Sequence, residues 1–114
     1  MSFSVNNSIS ALKSLSTKQS VTANNIANSE SKEFKKSAAI LEEGSTGSVS
    51  TKIQPINTPG SMMQQADGTL EEMSNVDIIQ ETTDMITTRH AYEANLKALK
   101  ISTSMEDTVL DMLV

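Results

Sequence analysis

From Ser74 to Val114 the chain runs without a glycine or proline, and its apolar residues return at helical spacing. Positions 78, 82, 85, 89, 92, 96, 99, 103, 106, 110 and 113 trace a heptad seam. Seven of these eleven are apolar: Ile78, Met85, Tyr92, Leu96, Leu99, Leu110 and Leu113. A second stripe flanks the seam with Ile79 and Ile86 early, then Ile101, Met105, Val109 and Met112 late. One partner helix covers one stripe, so the second calls for further neighbours. Ser74-Asn75-Val76-Asp77 opens the run in the form of a capping box, with Ser74 as the cap and Asp77 reaching back to it. The pattern predicts one long helix over 74–114; filled from 75 to 113, it would measure ~58 Å.

A shorter pattern occupies the other end. Val5, Ile9, Leu12, Ser16, Gln19, Ala23 and Ile26 follow at spacings of 4 and 3, apolar at both ends of the seam and polar at Ser16 and Gln19. Asn6, Asn7 or Ser8 can cap this segment, and Asn28 is a natural left-handed stop, which predicts a helix over 6–30. A seam with a polar centre is a poor core by itself and favours packing with partners. A helix over 7–28 is ~33 Å long, which leaves ~25 Å of the longer helix unmatched.

All four glycines and both prolines fall between 44 and 68. Val49, Thr51 and Ile53 alternate like a short strand after a turn at 44–47, while 34–41 fits either strand or helix. Asn57-Thr58-Pro59-Gly60 and Asp67-Gly68 read as turns. The expected fold is mainly α and forms one domain over 1–114. Its two long terminal helices form an antiparallel coiled-coil-like hairpin, with a flexible middle over 31–73 that carries a small irregular or β-hairpin insertion. Two helices and a flap cannot enclose a core of ordinary size, so the chain is expected to be partly disordered alone and completed by other subunits.

Composition narrows the function. The net charge of −5 argues against a nucleic-acid binder. The charge is uneven: residues 1–43 carry five lysines against four acids, and residues 69–114 carry nine acids against Arg89, Lys97 and Lys100. This split favours the two ends meeting, with Lys13 and Lys18 expected near Glu106, Asp107 and Asp111. The N-terminus shows no secretory signal, and no apolar run reaches the ~20 residues needed to insert in a membrane. There is no cysteine, and His90 is the one histidine, so neither a cysteine-based nor a histidine-rich metal site can form within one chain. Thr87-Thr88-Arg89-His90 offers a base without an oriented nucleophile. The expectation is a protein with no enzymatic activity, no catalytic or metal site, no cofactor and no small-molecule substrate.

Two motifs then point to a family. Ala23-Asn24-Asn25-Ile26-Ala27-Asn28 resembles the N-terminal signature of the axial rod and hook proteins of the bacterial flagellum. Ser74-Asn75-Val76-Asp77-Ile78-Ile79, with Met85-Ile86 and Ala91-Tyr92-Glu93-Ala94-Asn95, resembles their C-terminal signature. Ser31-Lys32-Glu33-Phe34 stands where that family usually has Thr-Pro-Gly-Phe/Tyr, and His90 where it usually has arginine. The short middle, Ser104-Met105 and the Val109-Leu110 ending lean towards the C-type proximal rod protein.

The resemblance implies a structural subunit of the basal-body rod. Its terminal helices would pack with further copies and other rod proteins into a tube. It also implies delivery to the periplasmic rod by the flagellar type III export apparatus, without a cleaved signal peptide. The expected assembly interface comprises Ile9, Leu12, Ala23, Asn25, Ile26 and Asn28 at one end. At the other end it comprises Val76, Asp77, Ile78, Met85, Tyr92, Asn95, Leu96, Leu99, Leu110 and Leu113. The competing reading is a type III secreted helical regulator or needle-like protein outside the rod. A phosphotransfer module using His90 is the weaker rival, because no glycine follows that histidine.

Overall fold

Asp77, and not Ser74, caps the long helix. In the computed structural model, which describes residues 2–113 and side chains from Val5 onward, helix α2 spans Ile78–Leu113. The Asp77 carboxylate accepts from the backbone N–H groups of Ile79 at 3.0 Å and Gln80 at 3.4 Å. Ser74 Oγ instead accepts from Val76 N–H at 3.2 Å, closing a local turn. The helix cannot start earlier because Asn75 is tied elsewhere: its N–H donates to Phe34 C=O, and its side chain holds the base of a hairpin. Met1 and Val114, the ends of the expected domain, lie outside the described residues.

Helix α1 spans Ser2–Ala27. Asn28 ends it by donating its N–H and its side-chain amide to Asn24 C=O, in a conformation that is not left-handed. The left-handed residue is Glu33, with φ of 59°, five positions later. The expected stop at Asn28 is therefore correct in place and wrong in geometry, because the Asn25 and Ile26 carbonyls are met by the N–H groups of Asn28 and Ser29 three residues on, without a reversal of φ.

The middle forms two antiparallel hairpins. Strands β1 (Ser37–Glu43) and β2 (Val49–Pro55) pair from Ser37↔Pro55 to Glu43↔Val49, which settles the ambiguous 34–41 stretch as strand from Ser37 onward. Strands β3 (Met62–Gln64) and β4 (Leu70–Glu72) form a second, shorter pair. The two connecting loops share one geometry. In each, the first residue's N–H donates to the fifth residue's C=O, and the fourth is a glycine at positive φ: Gly47 at 81° and Gly68 at 88°.

The helices run antiparallel, with Asn25 beside Glu81 and Gln19 beside Met85. The first hairpin lies along α1 with its turn towards the start of that helix. The result is a bar of 79 × 24 × 13 Å with a radius of gyration of 20.0 Å, where a compact chain of this length would have ~13 Å. Leu15 is the one buried apolar residue among the described residues. The expected meeting of Lys13 and Lys18 with Glu106, Asp107 and Asp111 does not occur. The ion pairs of the described residues join Lys32 to Glu71, Lys35 to Glu72 and Arg89 to Glu93. The pairings of 25 with 81 and of 19 with 85 set a register that places Lys18 far short of residue 106, and it lines a recess with Gln80, Glu81 and Asp84.

Candidate assembly surface

The interior of this protein is polar and much of its surface is apolar. Ser14, Thr22, Asn25, Ser74, Glu81 and Thr88 are buried. Ile79, Ile86, Ile101, Met105, Leu110, Met112 and Leu113 are each more than half exposed. Burying polar groups costs free energy unless they are bonded, and here most are.

The hydrogen bonds fall into two groups. Along α1, Asn7, Ser10, Ser14 and Asn25 lie on one face and stitch the helix to the first hairpin. Ser14 Oγ donates to Val49 C=O at 3.0 Å, and Ser10 Oγ accepts from Val49 N–H at 3.0 Å. Asn25, 2% exposed, pairs with both backbone groups of Ser37: it donates to the C=O at 2.8 Å and accepts from the N–H at 3.1 Å. The same amide reaches Glu81 on α2 at 3.3 Å. At the neighbouring residue Asn75 does the matching work, accepting from Lys36 N–H at 2.7 Å and donating to Ile56 C=O at 2.8 Å. One asparagine from each signature motif thus clamps consecutive residues at the base of the hairpin.

Between the helices the fit is looser. Gln19 Oε1 and Thr88 Oγ1 are buried without a hydrogen-bond partner, and an open recess lies between Leu15, Gln19, Thr88 and Tyr92. Among the residues that α2 turns inward, Glu81, Thr88, Asn95 and Ser102 form a polar line at heptad spacing, flanked by the half-buried Met85, Ala91 and Leu99. Pattern reading that counts apolar positions passes over such a line. A search for small and polar residues every seventh position would have found it.

The expected interface residues divide accordingly. Asn25 is enclosed within the chain, and Asp77 serves as the helix cap. Leu12, Ile26, Asn28, Val76, Met85, Asn95 and Leu99 are half-buried. Asn28 and Asn95 each direct a side-chain amide to the carbonyl four residues back. Ala23 is exposed, as are Ile9, Ile78, Tyr92, Leu96, Leu110 and Leu113. Ser102 and Glu106 are the last half-buried residues of α2, and everything from 107 to 113 is exposed, so the final two turns project uncovered. No helix among the described residues is long and apolar enough to cross a membrane, and none of their His, Asp and Glu side chains group to hold a metal ion.

A bar whose interior is satisfied by hydrogen bonds, and whose apolar residues line its outside, has the make-up of a protein built to be packed between others. Two family descriptions match: flagella basal body rod protein over residues 6–32, and flagellar basal body rod FlgEFG protein C-terminal over residues 66–112. The flagellar hook protein FlgE of Treponema pallidum (strain Nichols) is 49% identical over 45 residues, which is 40% of this chain and 10% of that protein. The chain thus matches about a tenth of that relative's length. The chain belongs to the flagellar rod and hook family.

Proposed function

We propose that this chain is a subunit of the rod, of the C-type proximal kind, which joins the basal body after type III export. Its helices then pack in coiled-coil fashion against those of further copies and other rod proteins in the periplasm. The observation that carries this reading is the exposed seam on α2. Leu96, Leu110 and Leu113, with Ile78 before them, are exposed and repeat at helical spacing. Covering each such side chain contributes about 1.5–3 kcal/mol, which is ample for a helix to be held by neighbours. The insertion between the helices is two small hairpins and leaves the helices as the main surface for contact.

The test is a strain lacking this chain, complemented with Leu96→Asp combined with Leu110→Asp. The deletion should give basal bodies without a completed rod. The variant should still be exported and helical yet fail to restore motility. Normal rods in the deletion strain would overturn the assignment and favour a secreted protein outside the rod.

A further inference from the structure

The second apolar stripe of α2 lies outside that seam, and its far half is self-complementary. Lys97, Lys100, Ile101, Ser104, Met105 and Val109 line a shallow recess to which α1 contributes nothing. Ile101, Met105 and Val109 are 61%, 58% and 46% exposed. Around this recess the charges have an internal symmetry. Lys97 and Asp111 stand equally far from Ser104 on either side, and Lys100 and Asp107 straddle the bond between Thr103 and Ser104. The centres of the two lysine–acid pairs therefore lie half a residue apart, under about 1 Å along the helix.

We infer that this face binds a second copy of the chain, antiparallel, about a twofold axis at Ser104. Such an axis sets Lys97 opposite Asp111 of the other copy and Lys100 within one residue of its Asp107, each contact made twice. It brings Ile101 of each copy within two residues of the level of Met105 of the other and places the two Ser104 residues on the axis, where a small side chain lets the helices approach. Two parallel copies in register would instead set lysine against lysine and aspartate against aspartate, which is repulsive. The paired segment, 97–111, is ~22 Å long, so the contact belongs to the small, reversible class of interfaces. The inference does not depend on the rod reading, because it concerns the free subunit and a different face of the helix.

The chain has no cysteine, so single cysteines report the geometry directly. Ser104→Cys should form disulfide-linked dimers under mild oxidation. A mixture of Lys97→Cys and Asp111→Cys should yield mostly mixed dimers. Lys97→Asp with Lys100→Asp should lower the dimer fraction about tenfold. Adding Asp107→Lys and Asp111→Lys should restore it, since the swapped charges are again complementary about the same axis. Circular dichroism confirms that each variant keeps its helices. The inference is overturned if a folded Ser104→Cys protein stays monomeric, if Lys97→Cys links mainly to itself, or if the fourfold swap fails to restore pairing.

Discussion

The two hairpins share a turn and differ in almost everything that holds them. Each reverses through a five-residue loop with glycine fourth at positive φ, yet a two-stranded hairpin is marginal in water and persists through its attachments. The first has seven-residue strands laid along α1 and bonded to it at Ser10, Ser14 and Asn25. The second has three-residue strands, no helix beneath it, and Met62, Met63 and Leu70 exposed. It is held at its closing end alone. Glu72 C=O accepts from Glu33 N–H at 3.0 Å, the Glu72 carboxylate binds Lys35 and Gly60 N–H, and Glu71 pairs with Lys32 at 2.9 Å. Neutral bonds spread along a helix fix one hairpin, and charges at one end fix the other. The difference predicts separate failures.

The largest effect should follow Asn25→Leu. Leucine has nearly the same volume but leaves Ser37 N–H, Ser37 C=O and the Glu81 carboxylate short of a buried partner. The expected loss is about 3 kcal/mol by denaturant titration, with amide exchange accelerated along the first hairpin and less so along the second. Equal loss of protection in both hairpins would mean that they unfold as one unit.

Gly60→Ala should do the reverse. A Cβ there would stand 1.9 Å from Met73 C=O, an overlap with backbone that no rotamer relieves. Gly60 must move, which breaks its bond to Glu72 and opens the base of the second hairpin. About 2 kcal/mol is expected, seen as faster exchange at β3 and β4 with the first hairpin unchanged.

These two sites mark what the sequence made legible. The two helices, their antiparallel pairing, the turns at 44–47 and 67–68 and one hairpin could all be read from periodicity and turn residues. The second hairpin could not, because three-residue strands give no periodic signal. The polar lining of the helix pair was hidden for a different reason. A serine or threonine pointing at a neighbouring strand looks, in sequence, like one pointing at water. Periodicity locates apolar faces but does not say what covers them. The heptad seam was therefore visible, while the contact that α1 makes with α2 was not.

A smaller effect, and a stabilising one, should come from Glu33→Gly. Glu33 holds φ of 59° at the position where the resemblance to rod proteins places glycine. The left-handed conformation costs a residue with a Cβ about 1–2 kcal/mol, and glycine's greater freedom in the unfolded chain offsets part of the relief. A net gain of about 0.5–1 kcal/mol is expected. Since Glu33 N–H holds Glu72 C=O, the gain should appear as slower exchange at the base of the second hairpin. A loss of stability would mean that the glutamate side chain contributes more than its backbone strain costs.

Acid should separate the hairpins most gently of all. The Lys35 ammonium, and after it Gly60 N–H, hold the Glu72 carboxyl below its ordinary range. A carboxylate whose folded value is lowered stabilises the fold above its unfolded value, and that contribution fades as pH falls through the lowered one. At neutral pH the latch is fully formed; under acid it releases. Lys35 and Glu72 are each about a third exposed, so solvent and salt screen the pair and the effect is modest. The first hairpin hangs on amides and hydroxyls at Asn25, Asn75, Ser10 and Ser14, none of which titrates. Amide chemical shifts followed from neutral pH into acid should therefore move at Gly60 and along β3 and β4 before those of β1 and β2. Glu72→Gln should remove most of that early response. If the β1 and β2 amides move together with Gly60, the charges at Glu72 do not act on the second hairpin alone, and the contrast in how the two are held is wrong.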